Sequence, residues 1–303
     1  MNALIFSGQG SQYPGMGKEL LDLNPEFTSI YDMASEILGY NLSSICFESD
    51  EETLSKTIYS QPAIMITSIL CLEVAKKNNL TYNAVAGHSL GEFAAMVAAN
   101  ILSIEDAFMA IKSRATAMDK AASNSSGSMA AILKLKSDVI EKVCESINGY
   151  VTPVNYNSPD QTVIAGETEF VNEAVSELKK LGARAVVLKV SSAFHSNLMS
   201  SAADEFYNSI KNLNFKTPTV KYYSNVTGAE LTDFSDMPSL LAKHIVSPVK
   251  FTDEINSMYE SGFDTFIELG PNKVLSGLVR KTIKTATVLN IENKETLENF
   301  INL

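Results

Sequence analysis

The chain has 303 residues, 45% of them apolar, with a formal net charge of -11 and a pI near 4.9. That apolar content supports a substantial buried core, in one large domain or a domain carrying an insertion. The acidic balance disfavours nucleic acid and anionic membrane as partners, since both reward basic surfaces. Cys46, Cys71 and Cys144 lie far apart and form no C-x-x-C, so neither a disulfide framework nor a metal site is expected and a reducing cytoplasm fits. The stretch Met1 to Phe6 lacks a basic leader and meets Gly8 and Gly10 too soon for a signal peptide. No apolar run of membrane-spanning length is expected.

In chain order, Ala3 to Phe6 reads as a buried strand running into the glycine-rich loop Ser7-Gly8-Gln9-Gly10-Ser11-Gln12. A dinucleotide fingerprint G-x-G-x-x-G would need its third glycine at Tyr13, so no such cofactor is expected; bare backbone here can instead bring amides close to a reacting carbonyl. Asn24-Pro25-Glu26 has the form of a helix start with Asn24 as cap, stopping at Gly39. Ser60-Gln61-Pro62 opens an apolar helix to about Lys77, and Thr81 to Ala86 reads as a buried strand. There follows Gly87-His88-Ser89-Leu90-Gly91-Glu92, then the helix formers Phe93 to Ala99. Strand, G-x-S-x-G, helix is a nucleophile elbow: glycines permit a sharp turn that holds the Ser89 hydroxyl out at a helix N-terminus. There the Leu90 amide can receive a developing oxyanion.

Ser103 with Asp106 forms a capping box that opens a helix to about Ala122, on which Ala107, Ile111, Arg114 and Met118 share one stripe. From Ser128 the rhythm changes. Met129–Leu133, a helix from Ser137 to Ile147, strands Val151–Tyr156 and Thr162–Ala165 around a turn at Asn157 to Asp160, a helix from Glu169 to Leu181, and a strand Ala185–Val190 give the order βαββαβ. This predicts a ferredoxin-like small subdomain over residues 127–191, inserted into an α/β subdomain formed by 1–126 and 192–303. The larger part resumes with strands at Val220–Tyr223 and Thr265–Leu269.

An elbow serine needs a base, and the histidines are His88, His195 and His244. His88 sits inside the elbow and points away from the hydroxyl. His195 follows the last strand of the insert, where the chain re-enters the larger sheet, and is the better placed base. His244 has the position of a helix C-terminal histidine, able to orient or line the site. Against twenty-one lysines the chain has only Arg114, Arg184 and Arg280. A guanidinium on the Arg114 stripe fits either a bidentate carboxylate clamp or an internal salt bridge.

Five stretches together resemble the malonyl-CoA:acyl carrier protein transacylases: Phe6 to Gln12 with Gly15-Met16-Gly17; Thr57 to Ala63; Gly87 to Glu92; Asn155-Tyr156-Asn157-Ser158-Pro159 with Val163 to Gly166; and Ser247-Pro248-Val249 with Glu268-Leu269-Gly270-Pro271 and Val274-Leu275. The resemblance spans nearly the whole chain and implies an α/β-hydrolase-like large subdomain with a parallel sheet. It implies Ser89 as acylated nucleophile, His195 as base, the amides of Gln9 and Leu90 as oxyanion hole, and Arg114 as clamp for the free malonyl carboxylate. Gln61, His88, Phe194, Asn157 and His244 would complete the substrate site. In the family the catalytic histidine donates to a backbone carbonyl, often glutamine's, at the place His244 holds here.

No metal or bound cofactor is implied; malonyl-CoA is substrate, and the phosphopantetheine of an acyl carrier protein is acceptor. A cytoplasmic monomer is expected. Ala193-Phe194-His195-Ser196 resembles the malonyl-selecting motif of polyketide acyltransferases, so polyketide and fatty acid supply both remain open, with a lean to the former. Two rivals differ in kind. A hydrolase of the same fold would dispense with the carboxylate clamp, and a non-catalytic carrier-protein docking module would not need Ser89 or His195.

Overall fold

A computed structural model describes residues 1–124, 126–190 and 192–302. Its strands are β1 Asn2–Phe6, β2 Ala84–Gly87, β3 Gly127–Leu133, β4 Val151–Ser158, β5 Gln161–Glu167, β6 Arg184–Val187, β7 Lys221–Ser224, β8 Ala229–Glu230, β9 Thr265–Leu269 and β10 Thr287–Ile291. Six of them form one sheet in the order β10-β9-β1-β2-β7-β8. It is parallel except for β8, which pairs antiparallel with β7. Alternation along β1 sends Leu4 and Phe6 into one core and Ala3 and Ile5 into another. The sheet is therefore buried on both faces, as parallel sheets require. One face packs against the Thr57–Lys77, Gly91–Ala98 and Ile104–Ser123 helices, the other against Phe251–Glu260 and Val274–Thr282.

The second sheet has the order β4-β5-β3-β6 and is antiparallel. Taken with the helices Ser137–Ser146 and Thr168–Lys180, this is the ferredoxin-like arrangement. Ala130, Ile132 and Ile164 face those helices, while Met129, Ala131, Val163 and Ala165 face the larger core. Gly127, at the entry to this sheet, has no room for a side chain: a Cβ would lie 2.8 Å from both the Cβ and the amide nitrogen of Ala193 on the returning segment. Entry to and exit from the small sheet therefore run side by side. The expected limits at 191 and 303 fall on residues outside those described.

Several local expectations need correction. The Thr57–Lys77 helix begins a turn before Ser60, so Pro62 lies inside it. Pro62 has no amide to bond the Ile58 carbonyl, and the Tyr40 hydroxyl donates to that oxygen instead, at 3.0 Å. This helix is also long and apolar enough to cross a bilayer, contrary to the expectation that no run reaches that length. Yet 83% of its apolar window is buried within the protein, and its all-round hydrophobicity is that of a central core helix. Asn24 caps nothing with its side chain, which donates to the Leu20 carbonyl at 2.9 Å; Pro25 opens a short 3-10 turn before Thr28–Leu38. β2 starts only at Ala84, β4 runs on to Ser158, and β6 ends at Val187. β8 and β10 are strands not expected from the sequence.

Candidate active site

Glycine geometry builds the elbow. A Cβ on Gly87 would lie 2.1 Å from the Gly91 carbonyl carbon, and one on Gly91 would lie 2.2 Å from the Phe6 carbonyl oxygen. Both are impossible approaches, so β2, the turn and the following helix can close against β1 only with glycine at each end. Ser89, between them, takes φ 54°, the left-handed conformation that aims its hydroxyl away from the sheet. Gly8 does the same for the neighbouring loop: a Cβ there would meet the His88 carbonyl oxygen at 2.6 Å. The Gln9 backbone is thereby seated against the elbow. Neither the Gln9 nor the Leu90 amide takes a protein acceptor among the described residues, which leaves both donors free for a ligand oxygen.

Ser89 Oγ lies 2.7 Å from His195 Nε2, and His195 Nδ1 lies 3.0 Å from the His244 carbonyl oxygen. A carbonyl can only accept, so the proton sits on Nδ1 and Nε2 presents its lone pair to the serine. Burial, with the Arg114 cation nearby as the second cause, pulls the His195 pKa down to about 3. The imidazole is thus neutral and able to take a proton at any ordinary pH. His195 follows β6 by eight residues and not directly, and its own φ of 60° turns the ring back toward the elbow.

Arg114 is 1% exposed on the Ile104–Ser123 helix. Its Nη1 donates to Gln61 Oε1 at 2.6 Å and its Nη2 to Ser89 Oγ at 3.1 Å, while Nε has no partner. Burial lowers its pKa to about 10, with Glu92 opposing that shift; it remains a cation beside the hydroxyl.

A cleft of about 330 Å3 opens over these groups, lined by Gln9, Ser89, Met118, Phe194 and His195 among others. A second, of about 420 Å3, runs past Asn157 and Lys281 and shares Gln9, His88, Asn155 and Leu188 with the first. Three of the residues expected at the substrate site, Arg114, Gln61 and His244, are buried and belong to the lining of neither cleft. Gln61 is fully buried and grips Arg114. The His244 ring is turned away from both clefts toward Asn225, 3.1 Å from its Oδ1, so only its carbonyl serves the site. Asn157 holds His88 in place, Oδ1 to Nε2 at 2.8 Å.

A profile of the acyl transferase domain family matches residues 3–300. The malonyl CoA-acyl carrier protein transacylase of Bacillus subtilis (strain 168) is 40% identical over 300 residues, covering 98% of this chain and 95% of that protein. The chain belongs to the malonyl CoA-acyl carrier protein transacylase family of acyl transferases. Among solved structures of this family, the transacylase of Clostridium perfringens ATCC 13124 superposes with a TM-score of 0.95 at 35% identity, covering 99% of this chain and 96% of that one. A malonyl-transacylase in complex with a type II PKS acyl-carrier protein gives a TM-score of 0.95 at 31% identity, with 99% of each chain covered. The α/β-hydrolase-like large subdomain with a ferredoxin-like small one is the architecture of these enzymes.

This acyl transferase also carries groups that the sequence reading did not single out. Asn225, Glu92 and Glu254 are fully or almost fully buried beneath the elbow, and burial raises the Glu92 pKa to about 7. Glu92 Oε2 approaches His244 Nδ1 at 3.2 Å without hydrogen-bond geometry. Glu92 belongs to the quoted motif and could have been flagged as an acid in an alanine-rich helix; Asn225, in Ser-Asn-Val-Thr-Gly, reads as ordinary turn material.

Proposed function

We propose that this protein transfers a malonyl group from malonyl-CoA to the phosphopantetheine thiol of an acyl carrier protein through an acyl-enzyme on Ser89. The observation that carries the reading is the convergence on one hydroxyl of a neutral imidazole at 2.7 Å and a buried guanidinium at 3.1 Å. Ser89 Oγ attacks the thioester carbon as its proton passes to His195 Nε2. The carbonyl oxygen becomes an oxyanion held by the Gln9 and Leu90 amides. When the tetrahedral adduct collapses, the C–S bond breaks and coenzyme A leaves as a thiol with the proton from His195. The carrier thiol then enters by the reverse sequence, giving its proton to His195 and restoring the serine. The His244 carbonyl stabilises the imidazolium formed in each half.

Arg114 takes the role of clamp for the malonyl carboxylate, with Gln61 holding it from behind. His88 and Phe194 shape the acyl cleft, and Asn157 lies along the second one. No cofactor or metal enters this scheme, and we assign the protein to the cytoplasm as a monomer made of a large subdomain, 1–126 and 192–303, and a small one, 127–191. Malonyl transfer of this kind supplies extender units for fatty acid or polyketide synthesis. Incubation with malonyl-CoA, with and without carrier protein, followed by intact-mass measurement tests the reading. A malonyl adduct that persists until carrier protein removes it supports transfer. An adduct lost to water at the same rate without carrier would indicate a hydrolase, and no adduct at all a docking module.

Arg114→Ala should separate malonyl from acetyl groups. A buried cation is costly unless an anion meets it, and truncating one partner of such a pair costs about 2 to 5 kcal/mol, or about thirty-fold to several thousand-fold in rate. Malonyl transfer should fall by that order, while acetyl transfer from acetyl-CoA, with no carboxylate to lose, stays level or rises. Equal losses for the two thioesters would make Arg114 structural.

A further inference from the structure

We infer that Asn225 is the positioning residue that holds nucleophile and base in register, an inference that rests on the Ser89 acyl-enzyme reading above. Its side chain is fully buried immediately after β7. Oδ1 accepts from the Ser89 amide at 2.7 Å, while Nδ2 donates to the Gly87 carbonyl at 2.6 Å. One amide group thus spans the turn from two residues before Ser89 to Ser89 itself, bracing the peptide on either side of His88. Because the Ser89 amide can only donate and the Gly87 carbonyl can only accept, the amide of Asn225 has one permitted orientation. In that orientation Oδ1 also faces His244 Nε2 at 3.1 Å, and the carbonyl of His244 is the acceptor for His195 Nδ1. The carriers of the nucleophile and of the base therefore share a single side-chain oxygen.

Asn225 is itself held from two sides. Its backbone amide donates to Glu92 Oε1 at 2.7 Å, and Nδ2 donates to Glu254 Oε1 and Oε2 at 3.0 and 2.9 Å. The titratable groups around it are Glu92 on the elbow helix, Glu254 on Phe251–Glu260, His244 on Met237–Val246 and Tyr222 on β7, with Arg114 acting on Glu92 from its own helix. Neither asparagine atom reaches the clefts, so its effect on the reaction passes through the elbow and through His244. Misplacing reacting groups by about 1 Å typically costs on the order of 10²-fold in rate without weakening binding.

Single-turnover acylation by malonyl-CoA alone, read as the rate of mass gain, provides the test. Asn225→Ala should lower the acylation rate constant on the order of 10²-fold while the half-saturating malonyl-CoA concentration moves by less than about threefold. Asn225→Asp keeps the acceptor and, while protonated, the donor to Gly87. Burial between Glu92 and Glu254 raises the pKa of the introduced carboxyl, so it is protonated at low pH and ionises as pH rises. The ratio of this variant to wild type should therefore be highest near pH ~6 and fall toward the alanine level by pH ~8.5. An Asn225→Ala rate within about threefold of wild type, a loss confined to half-saturation, or an Asn225→Asp rate as low as alanine at every pH overturns the inference. If the alanine variant does not fold, the pH dependence of Asn225→Asp decides alone. A wild type that gains no malonyl mass overturns the transfer reading and this inference with it; normal wild-type acylation beside an unimpaired Asn225→Ala overturns the positioning alone.

Discussion

Ser89→Ala will gain no malonyl mass from malonyl-CoA on any timescale at which the wild type is fully acylated. The acyl group has one destination in the proposed chemistry, the oxygen that stands 2.7 Å from His195 Nε2 and beside the free Leu90 amide. Removing the nucleophile of such a unit costs on the order of 10⁶-fold. The thiols do not offer a substitute: Cys46, Cys71 and Cys144 are all buried, and desolvation raises each pKa, that of Cys71 to about 12. A buried thiol at neutral pH is protonated and a poor nucleophile. A full-strength adduct on Ser89→Ala would require another acceptor and remove the elbow from the mechanism.

The second large effect belongs to His195. His195→Ala should slow acylation by about 10²-fold to 10⁴-fold, the range for loss of a general base. His244→Ala should do less than His195→Ala, because the acceptor for His195 Nδ1 is a backbone carbonyl that alanine retains; what it loses is the ring's bond to Asn225 Oδ1 that helps place that carbonyl. A dead His244→Ala beside a near-normal His195→Ala would reverse the assignment. The same residue sets a pH expectation. A base with its pKa depressed to about 3 stays unprotonated until the solution is very acid, so activity is lost as pH falls only well below the ordinary histidine value of about 6.5. An acid limb of kcat/KM centred at the ordinary value, shifted or removed by His195 substitution, would show that burial and Arg114 do not depress it.

What could be read from the sequence was whatever depends on neighbours along the chain. Gly87 announces the elbow because its steric conflict, with Gly91, arises within the turn itself, and the change of hydrophobic rhythm after Ser128 announces the small sheet; the conflict at Gly91 is with Phe6, far along the chain. Arg114 stood out because its stripe is local to one helix. The rest depends on partners far along the chain. Nothing near Asn225 reveals that Glu254, Gly87 and Ser89 will meet on its amide. Pro62 reads as a helix start because its ring suits the first turn; that Tyr40 frees it to sit deeper is a tertiary fact. Strand ends at Val187 and Ala84 went astray for the same reason, since pairing decides them and composition does not.

The left-handed backbones of Ser89 and His195 set activity against stability. A residue with a Cβ pays for that conformation on the order of 1 kcal/mol or more, whereas glycine adopts it freely. At Ser89, with its small side chain, the fold would accept glycine and lose the chemistry; at His195 the relief is offset by the cavity that a buried, doubly hydrogen-bonded imidazole would leave. Selection for a stable chain and selection for a working one therefore pull Ser89 in opposite directions. A lineage that abandoned transfer while keeping the scaffold would be expected to drift toward glycine at Ser89, and that change alone to raise its melting temperature.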